Sequence, residues 1–318
     1  MTVDVYLTPA DLDEALRADA RRGLTATPKW LSPTWLYDER GGELFEQITR
    51  LPEYYPTRTE RSLLQAFSAD IADAMRPELL VELGSGSSEK TRLLLDALAP
   101  YLHTYVPQDV SEAALQSAVT RLSAEYPDLT VRGVVGDFTG SLSHLPAGGR
   151  RLIAFLGGTL GNLVPVERAE FLTGLAATLD KGEWLLLGVG LVVDPEIVVP
   201  AYDDAAGITA AFDRNVLHVL NRRLGANFEP DRFRHVALWD ADNEWIEMRL
   251  EATAAMTVQI PGLDLEVSFD AGEQLRTEIS AKFRLDGIAQ ELTDAGFVVR
   301  HEWVDPGARF ALIGASRR

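Results

Sequence analysis

From residue 60 onward the chain repeats one rhythm: a short apolar run, a glycine or aspartate at its end, then a helical pattern. The runs LLVELGSG (79–86), TYVPQDV (104–110), LTVRGVVGDF (129–138), RLIAFLGGTLGN (151–162) and EWLLLGVGLV (183–192) read as strands. Residues 61–75, 88–98, 112–126 and 166–179 read as helices. Near-continuous apolar strands alternating with helices at this spacing build β-α-β units, and the crossover helices cover both faces of a parallel sheet. The pattern predicts an α/β, doubly wound sheet.

Between 195 and 281 the rhythm breaks. A helical stretch (201–224) is followed by alternating segments such as WIEMRLEA (245–252) and LRTEISAKF (275–283), which read as antiparallel strands. The rhythm then resumes with a helix (287–295), a strand FVVRHEWVD (297–305), a turn at Pro306-Gly307 and a strand RFALIGAS (309–316). A terminal hairpin closing a parallel sheet is the layout of Rossmann-like methyltransferases. Two domains are therefore expected: 60–195 with 282–318 as the sheet domain, and 1–59 with 196–281 as a second lobe. In the N-terminal part, 11–22 and 44–50 read as helices. LPEYYPT (51–57) reads as a turn, because Pro52 and Pro56 bar a continuous helix.

A formal net charge of −18 argues against a nucleic-acid partner, whose phosphates need a basic surface. Cysteine is absent, which excludes disulfides, thiolate metal sites and cysteine nucleophiles and fits a reducing compartment. The acidic N-terminal segment lacks the apolar stretch of a signal peptide, and no apolar run is long enough for a membrane span. The five histidines (His103, His144, His218, His235, His301) show no ligand spacing. No metal is expected, and each histidine is read as a surface or packing residue. A cytoplasmic enzyme acting on a small molecule is the expectation.

The Gly84-Ser85-Gly86 turn lies between a buried strand and a helix start, where glycines let the backbone approach a ligand. A dinucleotide fingerprint needs a third glycine where Glu89 stands. A pyrophosphate would also disfavour the acidic surroundings of Glu82 and Glu89, whereas a ligand carrying a sulfonium and an ammonium tolerates them. Asp109, at the end of the second strand, suits the two ribose hydroxyls. Asp137, at the end of the third, suits an exocyclic adenine amine, and the Phe138 backbone N–H a ring nitrogen. Any one of these aspartates has the alternative of a helix cap or solvated turn. Three strand ends in register favour one ligand, because open α/β sheets bind at their carboxyl ends. S-adenosyl-L-methionine is the expected cofactor.

VELGSGSSEKT, FLGGTLGN, LPEYYPTRTE and AYDDAAGITAAFDRNVL together resemble the bacterial L-histidine Nα-methyltransferases of ergothioneine biosynthesis, over about residues 15–315. The resemblance implies a Rossmann-like class I methyltransferase sheet with a second, α+β substrate-binding lobe, and a monomer. It implies transfer of three methyl groups to the α-amine of histidine, giving hercynine and releasing S-adenosyl-L-homocysteine. Gly84, Ser85, Gly86, Lys90, Asp109, Asp137, Phe138, Gly157 and Thr159 would hold the cofactor. Tyr54, Asn162 and Tyr202 would hold the amine and carboxylate, with Tyr54 and Asn162 at the reacting nitrogen. Glu278 and Ser280 would engage the imidazole, with Met248 lining the same pocket.

Side-chain chemistry runs alongside the resemblance. Residues i and i+2 of a strand share a face, so TEIS sets a carboxylate beside a hydroxyl, a pair able to engage both ring nitrogens. An alternating strand also places such residues on a solvent face. The aromatic faces of Tyr37, Phe45 and Tyr54 suit a quaternary ammonium, and for one of Tyr54 and Tyr55 packing is the expected role. No committed general base is evident. Two departures stand out: Gly190 and Val193 occupy places where the family has an aspartate turn and a lysine, and Asp213 replaces a usual asparagine. Neither touches an inferred ligand position, though both lie near the start of the second lobe's main segment. The alternatives are a methyltransferase for another amino acid or aromatic amine, and a non-catalytic adenosylmethionine-binding module.

Overall fold

The computed structural model describes residues 2–86, 88, 90–140 and 142–318. Position 89, which carries the missing-glycine argument, lies outside the described residues. The chain forms two compact units: Met1–Thr8, Pro56–Val192 and Phe283–Arg318 in the first, Pro9–Tyr55 and Val193–Lys282 in the second.

The first unit is built on an eight-stranded sheet. In space the strands run Thr2–Val5, Thr130–Val135, Thr104–Asp109, Leu79–Leu83, Arg151–Phe155, Trp184–Gly190, Phe310–Arg317, Phe297–Val304. The first six are parallel and the last two form the antiparallel hairpin. The strand Leu79–Leu83 is buried at every position, as a strand covered on both faces must be. It is flanked by Thr104–Asp109 on one side and Arg151–Phe155 on the other, so the order of connection reverses here. At such a switch point the crossovers leave on opposite faces and open a crevice at the carboxyl ends of the strands. Residues 2–5 correct one expected boundary. The sequence pattern places them in the second lobe, but Thr2–Val5 pairs in parallel with Thr130–Val135 and belongs to the first unit. Its four residues are too short and too polar to signal a strand alone.

The helix Tyr55–Met75 begins earlier than predicted. Pro56 falls in its first turn, where a missing N–H has no intrahelical partner to lose. Further along this helix Glu60 is fully buried. Its carboxylate takes the space that a Cβ on Gly188 would need, which accounts for a glycine inside the apolar strand WLLLGVG.

The second unit carries a four-stranded sheet in the order Lys29–Trp30, Gln274–Ala281, Trp245–Ala252, Phe233–Asp240, and a separate hairpin of Met256–Ile260 with Leu265–Phe269. The predicted helix 201–224 is two helices, Pro195–Tyr202 and Ile208–Leu224, separated at Gly207, which takes φ +71°. The helix Glu39–Ile48 is capped by Asp38, whose carboxylate accepts from Gly41 N at 2.8 Å. Asn215 reaches the same carboxylate at 2.6 Å and fixes the cap from the neighbouring helix. Each unit has its own apolar core: Leu16, Leu36, Leu217, Leu250 and Leu275 are among the central residues of the second, and Leu64, Leu80, Leu152 and Leu312 of the first.

Candidate active site

In the first unit the strand Leu79–Leu83 runs into Gly84 at φ +66° and Gly86 at φ +50°. Left-handed backbone costs residues with a Cβ about 1–2 kcal/mol, so glycine suits both corners. Asp109 ends the adjacent strand. Its carboxylate accepts from Gly86 N at 3.0 Å and from Ser111 N at 3.0 Å. These bonds fix the carboxylate against the turn and leave it acceptor capacity for a ligand. Asp137 accepts from Thr139 N at 2.8 Å and Thr139 Oγ1 at 2.7 Å, a turn that anchors the end of the third strand. The ring of Phe138 packs on Phe155 at 5.0 Å and Phe171 at 5.9 Å.

The Gly157-Gly158 corner follows the fourth strand, with φ of +83° and +72°. Gly157 N donates to Glu60 at 2.7 Å, and Lys90 pairs with the other oxygen of the same carboxylate. Glu60 therefore holds two predicted cofactor residues in place. Sequence reasoning missed it, since one acid in a long helix carries no signal. Thr159 donates to the Leu156 carbonyl at 3.1 Å, and Asn162 closes the short turn Thr159–Asn162. Glu82, expected to make the turn acidic, points into the unit. It accepts from Tyr105 at 2.5 Å and from Thr91 at 2.7 and 2.8 Å, and burial pushes its carboxyl up to about 7.

In the second unit Gln274–Ala281 pairs antiparallel with Trp245–Ala252, placing Glu278 directly opposite Met248. Directly paired residues project from the same face. Glu278, Ser280 and Met248 are all buried, at 7 %, 6 % and 2 % exposure. TEIS is therefore an interior face here and not a solvent face. Tyr202 donates to Ser280 at 2.9 Å, so the hydroxyl expected on the substrate carboxylate is engaged with a residue expected at the imidazole. Lys282, which sequence reasoning passed over, donates to both Tyr202 (2.9 Å) and Ser280 (2.7 Å). Its signal was present in the alternation of TEISAK.

Around these residues stands an aromatic cluster. The Tyr54 ring meets Phe45 at 6.2 Å and Tyr202 at 6.0 Å, and Tyr37 meets Phe45 at 5.4 Å. Phe212, unpredicted, touches Tyr37 and Phe45. Burial, reinforced by Tyr202, Tyr37 and Glu278, raises the Tyr54 phenol well above its usual range. Tyr54 therefore stays protonated near neutral pH.

The Asp213 departure has a structural partner. Asp213 is fully buried and meets His235 Nδ1 at 2.6 Å, and Thr277 also donates to it. His235 Nε2 meets the Tyr202 carbonyl at 2.8 Å. Asp213 is thus linked through His235 to Tyr202, so the position that differs from the family does lie behind an inferred ligand residue. Val193 packs against the core of the second unit.

A family model described as histidine-specific methyltransferase, SAM-dependent, matches residues 16–317. The chain belongs to this family. As a member of the SAM-dependent histidine-specific methyltransferases, it has a class I methyltransferase sheet in its first unit. It is 54 % identical over 314 residues to a histidine N-alpha-methyltransferase of Mycolicibacterium smegmatis, covering 98 % of each chain. It is 50 % identical over 305 residues to the protein of that name from Mycobacterium tuberculosis, covering 95 % of each. An ergothioneine biosynthesis protein of Schizosaccharomyces pombe is 33 % identical over 271 residues, which are 80 % of this chain and 34 % of that one.

The first unit fits the cofactor that this family uses. The Ser85 hydroxyl and both ends of the Gln108 amide are buried without a hydrogen-bond partner among the described residues, at the turn and beside Asp109. Polar groups buried in this way await a ligand or ordered water. Asp109→Ala is expected to weaken S-adenosyl-L-homocysteine binding by about ten- to a hundredfold, the worth of hydrogen bonds to a charged group. Calorimetry on the folded variant measures it, and an unchanged affinity would remove Asp109 from the site. Among the described residues no cluster of His, Asp or Glu is arranged to hold a metal ion, and no helix is long and apolar enough to cross a membrane.

Proposed function

We propose that this enzyme transfers three methyl groups from S-adenosyl-L-methionine to the α-amine of L-histidine, giving hercynine for ergothioneine biosynthesis. The buried Glu278–Ser280 pair carries the choice of histidine, because a carboxylate and a hydroxyl on one interior strand face match the two ring nitrogens. A buried carboxylate facing an apolar side chain would be costly, which disfavours the reading as an enzyme for other amino acids or amines. The equipped second unit disfavours a non-catalytic binding module. On this reading the first unit is the cofactor domain and the second the substrate domain. Gly84, Ser85, Gly86, Lys90, Asp109, Asp137, Phe138, Gly157 and Thr159 serve the cofactor, which supplies an electrophilic methyl on a sulfonium.

Tyr54 and Asn162 orient the amine, Tyr202 serves the carboxylate, and Tyr37, Phe45 and Met248 line the site. The amine must be neutral to carry a lone pair, and its proton passes to water. Orientation and exclusion of bulk water supply most of the acceleration. The strongly acidic chain is proposed to act as a cytoplasmic monomer on a small molecule, without nucleic acid.

The test is incubation with adenosylmethionine and each of the twenty amino acids, followed by mass spectrometry. Mono-, di- and trimethylated histidine is the expected result. No histidine product, or a better product with tryptophan or tyrosine, overturns the reading.

A further inference from the structure

Glu278, Ser280 and Lys282 occupy alternate positions of TEISAK, and Lys282 N extends the strand by donating to the Glu244 carbonyl at 2.8 Å. All three side chains therefore emerge on one side of the sheet. Lys282 is 6 % exposed, and lysine is seldom buried without a task. Its Nζ lies 4.9 Å from the centre of the Tyr202 ring and donates to the hydroxyls of Tyr202 and Ser280. An ammonium has donors only. Ser280 Oγ accordingly accepts twice, from Lys282 and from Tyr202. Both its lone pairs are taken, and its own hydrogen has no acceptor among the described residues.

We propose that Lys282 is a positioning residue: it fixes the Ser280 hydroxyl as a donor toward the substrate ring, so that the pocket takes neutral imidazole, with its N–H on Glu278 and its lone-pair nitrogen on Ser280. This rests on the reading that Glu278 and Ser280 hold the ring. An imidazolium has two N–H groups and no lone pair. It would set one N–H against the Ser280 hydrogen and leave two buried donors unmatched. If Tyr202 turns to donate to the substrate carboxylate, one Ser280 lone pair comes free, but Lys282 keeps the other, and its ammonium, 2.7 Å from Ser280 Oγ, opposes a second cation in the ring. Burial and the neighbouring Glu278 raise the Tyr202 phenol, which keeps the hydrogen it donates.

The test uses ring-¹⁵N histidine bound to the full-length enzyme with S-adenosyl-L-homocysteine, at a pH near 6, where free histidine is largely imidazolium. One protonated and one unprotonated nitrogen in the bound ring is the expected result; two protonated nitrogens overturn the proposal. In Lys282→Met, KM for histidine should rise about ten- to a hundredfold with kcat within about threefold. The preference for histidine over the pyrrolylalanine isomers, which keep an N–H but lack the second nitrogen's lone pair, should fall about tenfold, because Ser280 becomes free to turn. A purely structural lysine would lower both substrates together, and an unchanged preference overturns the proposal. If Glu278→Gln leaves the bound ring's nitrogen signals untouched, the placement of the ring on Glu278 and Ser280 fails instead.

Discussion

Glu278→Ala is expected to lower kcat/KM for histidine by about a hundredfold or more, while the affinity for S-adenosyl-L-homocysteine stays within about twofold. A hydrogen bond to a buried charge is worth about 1.5–3 kcal/mol, and an imidazole N–H left without its acceptor in a closed pocket adds a desolvation cost. At about 1.4 kcal/mol per tenfold, the sum reaches two orders of magnitude. The effect is expected on histidine alone, because Glu278 is proposed for the ring and the Gly84–Gly86 turn for the cofactor. Steady-state kinetics and calorimetry on the same preparation separate the two affinities. Equal losses for both ligands, or a variant as active as the parent, would remove Glu278 from ring recognition.

Asp213→Ala is expected to cost about 3–5 kcal/mol of stability, the effect of breaking a buried charged pair and leaving one member unmatched. Asp213 is fully buried, and its partners His235 and Thr277 are 7 % and 0 % exposed, so water cannot replace the lost acceptor. Burial alone would lower the His235 pKa, but the hydrogen bond and charge of Asp213 outweigh it and raise the imidazole above its ordinary value. A raised folded pKa favours the protonated form. The pair's contribution is therefore complete below the unfolded value of about 6.5 and fades as pH rises through the folded one. Denaturant unfolding across pH should show the parent losing stability over that window relative to Asp213→Asn, which keeps a hydrogen bond without the charge. Parallel pH profiles would show that the pair is not ionic. Because His235 also holds the Tyr202 carbonyl, the alanine variant should lose histidine affinity as well.

The sheet of the first unit was legible because its strands are apolar throughout and its helices sit between them. Such patterns survive without knowledge of neighbours. The strand Thr2–Val5 was not legible, since pairing and not composition makes it a strand. The second unit was read less completely. Antiparallel strands such as Phe233–Asp240 mix buried and exposed positions and carry a weaker signal.

For the candidate site, local pattern determined which residues have the right chemistry: two glycines after a buried strand, acids at two strand ends, and a carboxylate two positions from a hydroxyl. Strand periodicity placed Glu278 and Ser280 on one face from sequence alone. Only the tertiary structure decided that this face is interior, because burial depends on what the fold lays against it. The partners of buried charge were likewise beyond the sequence. Glu60 with Lys90, Asp213 with His235, and Lys282 with Tyr202 are separated by 30, 22 and 80 positions. No local pattern links residues so far apart. They meet because a charge or polar group removed from water must find a partner in space, and the fold determines which one it finds.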